Sequence, residues 1–413
     1  MLLHRIIKYL RAHSTKKHRT GITVCWPVVS SPRIEEETYC LQFCRTFSHK
    51  NCLKADSHVK WMDCHLELEL GRLLPQVATK KVLLVTNPKL LITGSVLHRM
   101  ASVLDIGYAA CGPVYNLTDY TGQKAELPAS YLNIRSYLEI IGLMQDCQEP
   151  DFRPAEELDP GCVLCDRAFL KRMDPEVQLG KLEIRSENRS RDIFAVEPGS
   201  LVHNFGIYSA WERDDLTRLV PQGCRRILDV GCGAGLFAQK LRQNISNVEI
   251  IGVEINPDIA ELAKAHYDQV LTQPVQDVGF NTHFDLINCG DVLEHLEDPW
   301  AVLKKLCTLL NDQGYLVLSV PNAGHWTVVQ DLLQGQFAYV PWGILCITHL
   351  RWFTEESIRQ ALDQAGFEIE LFERQQVDPT PQGREFVRTM VEQGWGNEES
   401  LLSNEFLIRA YKR

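Results

Sequence analysis

The sequence predicts an α/β protein with two domains. Its 413 residues exceed the usual length of one domain and suggest two units of similar size. In both halves, short apolar runs alternate with segments of helical periodicity, as in sheets covered by helices. A glycine-rich strand-to-helix turn at residues 231–235 places a ligand site in the second half.

The composition argues against several classes of function. A net charge of −10 disfavours nucleic acid as the main partner, because phosphate binding needs a concentrated basic surface. No apolar run approaches the length of about 18 residues that marks a membrane-spanning helix, so we expect no transmembrane segment. The 14 cysteines occur without a secretory signal, which favours reduced thiols and a cytoplasmic location. They lack the two regularly spaced pairs of a structural zinc site, so we expect no structural zinc.

Residues 1–20 form a basic amino-terminal segment. It contains no acidic residue, and its basic residues are Arg5, Lys8, Arg11, Lys16, Lys17 and Arg19. Two interpretations remain open for it: a solvated basic lead-in, or an amphipathic helix in weak contact with an anionic membrane surface.

The first half has its own alternation of strands and helices. We expect strands at 21–29 and 81–86, a further strand and turn at 109–116, helices at 34–47 and 66–74, and a Pro- and acid-rich loop at 146–160. The boundary with the second half is expected between Asn204 and Gly223, where residues 211–216 have the pattern of an entering helix.

Three motifs in the first half stand in the order found in one enzyme family. They are Asn87–Pro88 after a strand, Gly112–Pro113 at the end of a further strand, and Val202–His203 near the end of this half. Residues 21–205 thereby resemble the inverting, family 2-like glycosyltransferases, whose single GT-A-like α/β domain binds a nucleotide-sugar.

The same region departs from that family at the residues that carry its chemistry. Lys89 stands where the family has its metal-holding aspartate, and a cation there would repel the divalent ion that neutralises a diphosphate. The later acidic pair, which supplies the catalytic base, is matched at best by Glu183. The resemblance therefore implies a degenerate glycosyltransferase domain that serves glycan recognition or scaffolding.

The second half begins with a buried strand at 227–230 that runs into the glycine turn. Gly231, Gly233 and Gly235 are spaced GxGxG, and Leu236 follows. A dinucleotide fingerprint requires Gly or Ala at the position of Leu236, so the turn argues against NAD or FAD.

An acidic residue follows the glycines at the distance expected for a ribose ligand. Glu254 ends the next predicted strand, at 248–254, about twenty residues after the turn. Its carboxylate is suited to accept hydrogen bonds from both ribose hydroxyls. Because no lysine is placed to bind phosphates, the sequence favours a nucleoside without phosphate, which indicates S-adenosylmethionine. Asp229, beside the turn, is included among the candidate cofactor residues.

Further polar residues follow the other predicted strands of this half. Strands are expected at 284–289 and 315–320, with helices that Asn256 and Asp298 cap. Because parallel strands place their carboxyl ends at one edge of the sheet, the residues that follow these strands are expected in the same crevice as the glycine turn. They are Gly290, Asp291 and Asn322.

Four motifs in this half occur together in one family. They span residues 290–299, 320–326, 335–339 and 348–354. Residues 206–413 thereby resemble the Rossmann-like class I S-adenosylmethionine-dependent methyltransferases, in a branch similar to the ubiquinone-pathway O-methyltransferases. The family often holds the adenine amino group with an aspartate near the third strand, for which Asp277 is the nearest candidate here.

Methyl transfer to a hydroxyl requires positioning for in-line attack and a general base. His295 is the leading candidate for the base, with Glu294 and Asp291 as further catalytic candidates. Similar quinone O-methyltransferases hold a divalent ion with an acidic ExxEH motif. The same three residues are therefore an alternative metal site, although we do not expect a metal.

The acceptor is expected to contact the segments after the fifth strand. His325, His349 and Arg351 are the candidate substrate residues, and Arg351 is suited to grip a phosphate or carboxylate. Aromatic residues between positions 326 and 352 are suited either to stack on sugar rings or to form core.

The sequence thus predicts a methyltransferase that methylates oxygen of a glycan or glycan precursor. Three alternatives remain: a quinone or other small-molecule O-methyltransferase, a bifunctional glycosyltransferase and methyltransferase, and a carbohydrate-binding scaffold without activity. The intact glycine turn and Glu254 argue against the scaffold, and Lys89 argues against the bifunctional enzyme.

Overall fold

The structure, a computed structural model, describes residues 21–29, 35–55, 58–146, 152–185, 193–205, 213–245 and 247–413. The predicted basic segment 1–20 lies outside the described residues. The chain divides into two compact units. Unit 1 comprises residues 1–128 and 138–206, and unit 2 comprises residues 129–137 and 207–413. The predicted domain of residues 21–205 includes residues 129–137, which the structure groups with unit 2. The domain ranges 21–205 and 206–413 stay a prediction.

Unit 1 is built on a mixed sheet. Its strands are β1 Ile22–Pro27, β2 Val59–Cys64, β3 Lys81–Val85, β4 Leu90–Leu91, β5 Ala110–Tyr115, β6 Arg153–Ala155, β7 Glu157–Leu158, β8 Cys162–Asp166, β9 Ile184–Arg185 and β10 Phe194–Asn204. Its helices are α1 Glu35–Ala55, α2 Leu70–Leu73, α3 Gly94–Asp105, α4 Ile134–Gln145 and α5 Arg167–Leu170, of which α4 begins within residues 129–137.

The main sheet of unit 1 has the strand order β2-β1-β3-β8-β5-β10-β4, with β6 on β10. Strand β8 is antiparallel to both of its neighbours, whereas β1 is parallel to β2 and β3. The predicted strands at 21–29 and 81–86 are confirmed as β1 and β3. All residues of both strands are buried, and all but Thr23 and Lys81 are apolar.

Three predictions for this half are wrong in detail. The predicted helix at 66–74 contracts to α2 and a 3₁₀ turn at Leu74–Gln76. The predicted loop at 146–160 contains strands β6 and β7. Gly112–Pro113 lies inside β5 and not at its end, which is compatible with a sheet because Pro113 needs to donate no ladder hydrogen bond there.

Unit 2 is built on a seven-stranded sheet. Its strands are β11 Arg226–Val230, β12 Glu249–Val253, β13 Gln269–Leu271, β14 Phe284–Gly290, β15 Leu310–Pro321, β16 Phe367–Gln376 and β17 Ser403–Lys412. Its helices are α6 Asp214–Thr217, α7 Leu236–Asn244, α8 Pro257–Ala263, α9 Pro299–Leu309, α10 Trp326–Leu333, α11 Glu355–Ala365, α12 Pro381–Glu392 and α13 Glu398–Leu402.

The strand order of unit 2 is β13-β12-β11-β14-β15-β17-β16. The first five of these strands run parallel, and β17 is antiparallel to β15 and β16. Apolar clusters cover both faces of this sheet, as a parallel sheet requires. The carboxyl ends of β11, β12, β14 and β15 therefore lie at one edge, together with the amino end of β17.

Local capping chemistry fixes where several of these elements begin. The side chain of Asn256 accepts hydrogen bonds from the backbone N–H groups of Asp258 and Ile259, and Asp298 accepts one from Ala301. Both predicted caps are confirmed. One boundary differs, since β15 begins directly after α9 and Gly314 lies within this strand. Across the described residues, no helix has the length and apolar character to cross a bilayer.

Candidate functional site

The glycine turn follows β11 and begins α7. Gly231, Gly233 and Gly235 all have positive φ, at 71°, 53° and 96°. A Cβ on Gly231 would lie 2.5 Å from Cγ2 of Val292, so the turn packs against the segment after β14 with no room for a side chain. The N–H groups of Gly231 and Cys232 both donate to the carbonyl oxygen of Val253, so they bind the end of β12. A close approach of the turn's backbone to a ligand stays a prediction.

Glu254 is held at the end of β12 by the backbone of the turn and of its own loop. Its Oε2 accepts a hydrogen bond of 3.0 Å from the N–H of Gly233, and its Oε1 accepts one of 2.9 Å from the N–H of Asn256. A carboxylate offers about four acceptor positions, so two remain for hydroxyl groups of a ligand. The structure thus brings together the turn and the acid that the sequence predicted as partners.

Asp229 is placed differently from the other candidate cofactor residues. It is 1% exposed, and its oxygens accept hydrogen bonds from the hydroxyl of Tyr267 and the amide of Asn288. Burial raises the pKa of Asp229 to about 6, against the opposing effect of these two donors. The residue ties β11 to β14 and to the segment after α8, and this bonding supports a positioning role.

Asp291 follows β14 and is bound to the amino-terminal part of unit 2. It has a positive φ of 51°, and Ser319 Oγ donates a 2.7 Å hydrogen bond to its Oδ1. The guanidinium of Arg213 donates to its Oδ2 and also binds Asp215 and Glu405. Burial acts to raise the pKa of Asp291, but the charge of Arg213 and the hydrogen bonds with Ser319, Glu405 and Arg213 together outweigh burial, so the pKa is lowered.

The ion pairs of Arg213 with Asp215, Asp291 and Glu405 were not predicted from the sequence. Arg213 joins residues on α6, after β14 and on β17, so no local pattern in the sequence indicates these pairs. Burial and the charge of Asp291 raise the pKa of Glu405 to about 8. Gly290, which precedes Asp291, packs against Leu216, where a Cβ would lie 2.4 Å from Cδ1. This glycine therefore allows close packing at the end of β14.

Glu294, His295 and His349 form the second cluster at this edge of the sheet, and we call it the EHH cluster. One potential ligand atom from each residue lies within 4.8 Å of those of the other two. Glu294 is 1% exposed, and neither of its oxygens has a hydrogen-bond partner in the part of the chain that the structure describes. Burial and the charge of Asp291 raise the pKa of Glu294 well above its ordinary value.

Backbone carbonyls orient the two imidazoles of the EHH cluster. Nδ1 of His295 lies 3.1 Å from the carbonyl oxygen of Thr348, and Nδ1 of His349 lies 2.9 Å from that of Ile344. Each Nδ1 must donate to its carbonyl, so each Nε2 is left as the acceptor. Burial, with a contribution from His295, lowers the pKa of His349 to about 4, which keeps this ring neutral.

The predicted alternative metal set of Asp291, Glu294 and His295 is corrected by this geometry. Asp291 is engaged with Arg213 and does not belong to the EHH cluster, where His349 takes its place. The unpartnered oxygens of the buried Glu294 and the two free Nε2 atoms fit a divalent cation. One carboxylate with two imidazoles favours Zn²⁺ or Mn²⁺ over Mg²⁺.

The remaining candidate residues are not gathered at this cluster. His325 is 1% exposed and caps α10, where its Nδ1 accepts from the N–H of Thr327. Burial lowers the pKa of His325 to about 3. The guanidinium of Arg351 donates to the backbone carbonyls of Glu297 and Leu350. Asp277 is exposed in the loop after β13.

A loop brings His349 beside Glu294. The backbone N–H groups of Leu350 and Arg351 both donate to the carbonyl of Glu294, at 2.7 and 3.0 Å. These two backbone bonds, with the side-chain bond from Arg351 to the carbonyl of Glu297, attach this loop to the turn after β14. The EHH cluster depends on that attachment.

Comparison with known proteins identifies the kind of domain in the second half of the chain. Residues 204–371 match the family model described as a methyltransferase domain. The second unit contains a methyltransferase domain. The predicted class I methyltransferase fold of this half is thereby confirmed, whereas the resemblance of the first half to glycosyltransferases stays a prediction.

Curated relatives match this methyltransferase domain in part. The ubiquinone biosynthesis O-methyltransferase of Xanthomonas axonopodis pv. citri is 31% identical over 113 residues, which are 25% of this chain and 46% of the relative. That of Coxiella burnetii is 27% identical over 122 residues, 28% of this chain and 51% of the relative. The chain spans about half the length of the curated relatives it matches.

Solved structures also align with this half. An S-adenosylmethionine-dependent methyltransferase from Archaeoglobus fulgidus is 23% identical, covers 48% of this chain and 91% of its own, and has a TM-score of 0.35.

Proposed function

We propose that this protein transfers a methyl group from S-adenosylmethionine to an oxygen atom of an acceptor. The observation that carries the proposal is the glycine turn with Glu254 bonded across it, because the carboxylate is fixed in place and keeps two acceptor positions for ribose hydroxyls. The sulfonium group of the cofactor supplies the electrophilic methyl. The protein must bind the nucleoside, orient the acceptor and take its proton.

His295 is the proposed general base. It is exposed, and the carbonyl of Thr348 orients its ring so that Nε2 is the acceptor. The buried Glu294 and His349 beside it are suited to hold the ring. A divalent cation bound by the EHH cluster would occupy Nε2 of His295, so the roles of base and metal ligand are alternatives. Such a cation, when bound, would lower the pKa of the acceptor hydroxyl.

The proposed acceptor is a glycan or glycan precursor, and this part of the proposal rests on the first half of the chain. A second candidate acceptor is a quinone-type phenol. It is favoured because the curated relatives are ubiquinone biosynthesis O-methyltransferases. It is also favoured by contacts between the rings of Phe337, Tyr339 and Trp352, the first two of which are exposed.

We further propose that unit 1 is a degenerate glycosyltransferase-like domain and that the protein is cytoplasmic. The mixed α/β sheet of unit 1 and the position of Asn87, which bonds Asn204 at 3.1 Å, support the first part. The second part is supported because no cysteine among the described residues forms a disulfide bond.

Calorimetric titration of the whole chain with S-adenosylhomocysteine and then with UDP separates these functions. Binding of the first compound alone is expected. Binding of both would favour a bifunctional enzyme, and binding of neither would favour a scaffold. A screen with radiolabelled S-adenosylmethionine over lipid-linked saccharides, nucleotide-sugars and quinones then decides between the two acceptor classes.

The substitution His295→Ala is expected to abolish methyl transfer to the acceptor found in that screen, with unchanged affinity for S-adenosylhomocysteine. The expected loss is about 10²-fold or more, because a general base contributes about that factor. Substitution of the exposed His283 by alanine is the matched control. Normal turnover of the His295 variant would remove the residue from the role of base.

A further inference from the structure

Residues 129–137 belong to the methyltransferase unit although they precede the rest of it by some seventy positions in the chain. They group with residues 207–413 and lie outside residues 204–371, which match the methyltransferase family model. The N–H of Ser130 donates to the carbonyl of Asp378 at 3.1 Å, which attaches the segment to the loop before α12.

An ion pair joins this segment to helix α10. Arg135 binds Oδ1 of Asp331 through Nε at 3.0 Å and Nη2 at 2.9 Å, and Asn133 donates to Oδ2 at 2.9 Å. Asp331 is 9% exposed and lies in the last turn of α10, where the helix dipole disfavours a carboxylate. The two donors from the segment therefore supply the partners that this buried acid needs.

Asn133 is itself fixed in place. Its Oδ1 accepts a 2.9 Å hydrogen bond from the backbone N–H of Ser136 and a 2.7 Å bond from the Ser136 hydroxyl. Its amide group is thereby turned toward Asp331. The segment thus presents a preformed pair of donors to α10.

Apolar contacts continue from the segment to the loop that carries His349. Leu132 packs against a cluster of Val328 on α10 with Ile344 and Leu345. Gly343 has a φ of 70°, and a Cβ there would lie 2.7 Å from the carbonyl oxygen of Leu132. The chain at Gly343 therefore runs directly against Leu132.

A hydrogen bond connects this packing to the EHH cluster. Ile344 belongs to the apolar cluster on which Leu132 packs, and its carbonyl accepts the 2.9 Å bond from Nδ1 of His349. Any shift of Ile344 would release the His349 ring from its orientation toward Glu294 and His295.

We propose that residues 130–136 form a brace that positions His349 for the acceptor. Arg135 and Asn133 fix α10 through Asp331, Leu132 fixes the loop at 343–345, and that loop fixes the imidazole. This inference rests on the proposed methyl transfer. It makes Arg135, Asn133 and Leu132 positioning residues, and all three lie outside residues 204–371, which match the methyltransferase family model.

Amide hydrogen exchange of the whole chain tests the brace. In Arg135→Ala we expect exchange at residues 340–350 to be at least about tenfold faster, whereas residues 230–236 keep their rates. Arg388→Ala is the matched control, since Arg388 forms an exposed ion pair with Glu385 on α12 of the same unit. Unchanged exchange at 340–350 in Arg135→Ala would overturn the proposal.

The NMR signal of the His349 ring gives a second test, because a general loss of stability elsewhere in the protein would not change this signal. In protein labelled with ¹⁵N-histidine, the Nδ1–H signal, assigned with His349→Gln, is expected to disappear in Arg135→Ala. It is expected to persist in Arg388→Ala and to return at least in part in Arg135→Lys. If Arg135→Ala does not fold, Leu132→Ala replaces it with the same expectation. If the Nδ1–H signal of His349 persists in Arg135→Ala, or in Leu132→Ala where that variant replaces it, the proposal is contradicted.

Titration with S-adenosylhomocysteine separates this inference from the proposed function. If the native chain fails to bind that compound, methyl transfer is refuted even where the exchange results support the brace. If the native chain binds it and the Arg135 and Leu132 variants leave the His349 loop unchanged, only the brace is refuted.

Discussion

At the scale of single residues, Glu254 and Glu294 show two kinds of carboxylate. Glu254 bonds two backbone N–H groups within its own loop and the glycine turn, and the sequence indicates this role through a spacing of about twenty residues. The side-chain oxygens of Glu294 are buried and have no hydrogen-bond partner among the described residues, so the function of this carboxylate depends on neighbours that the sequence does not reveal.

Substitution Glu254→Ala is expected to weaken S-adenosylhomocysteine binding by at least about tenfold, which corresponds to one charge-assisted hydrogen bond. Isothermal titration calorimetry measures the change. Glu261→Ala on the neighbouring helix α8, where the side chain is 69% exposed, should leave the affinity unchanged. Equal affinities for native protein and Glu254→Ala would remove this residue from the cofactor site.

The EHH cluster is expected to bind Zn²⁺ or Mn²⁺ more tightly than Mg²⁺, because two of its three ligands are imidazoles. In Glu294→Gln we expect the affinity for these ions to fall by at least about tenfold, since the anionic ligand is lost. Metal titrations of the chelator-treated protein measure this, with the exposed Glu297→Gln as control. Absence of binding in the native chain, or equal binding in Glu294→Gln, would contradict the assignment.

At the scale of elements, short-range patterns were sufficient to predict most of the second sheet. The strands β11, β12 and β14 are apolar runs buried on both faces, and the caps at Asn256 and Asp298 mark the helix starts. The boundaries of β15 and α2 were less predictable, because tertiary pairing with neighbouring chain segments decides them.

The glycine turn is expected to tolerate no side chain at its first position. In Gly231→Ala the positive φ and the 2.5 Å approach to Val292 should together lower the free energy of unfolding by about 2–4 kcal/mol and weaken S-adenosylhomocysteine binding. Urea denaturation and calorimetry measure the two effects. Gly279→Ala meets no atom within 4 Å and serves as control, and equal stabilities of the two variants would refute the packing argument.

At the scale of the whole molecule, each unit contains a histidine that folding keeps neutral. Burial lowers the pKa of His203 in unit 1 and of His325 in unit 2 to about 3 in each case. Below the ordinary histidine pKa of about 6.5, the unfolded chain takes up protons that the folded chain does not. Stability is therefore lost as the pH falls below that value.

The expected loss for His325 is up to about 1.4 kcal/mol per pH unit below pH 6.5. Asp229 acts in the opposite direction, because its raised pKa lets the folded state take up a proton near pH 6. The comparison is therefore made between native protein and His325→Asn, which keeps a side-chain acceptor at the α10 cap. Urea unfolding at pH 7 and pH 5 should show a smaller acid-induced loss in the variant, and parallel losses would contradict a neutral buried His325.

The sequence by itself determined the α/β character of both halves, several strands and caps, the glycine turn and its acidic partner, because these depend on periodicity and on spacings within one strand-helix-strand unit. Only the tertiary structure decided that Asp291 binds Arg213, that His349 joins Glu294 and His295, and that residues 129–137 belong to the methyltransferase unit. The Asn133 and Asp331 side chains that meet are 198 positions apart in the chain. Such residues become neighbours only when the whole chain has folded, and no local sequence pattern indicates which distant residues will meet.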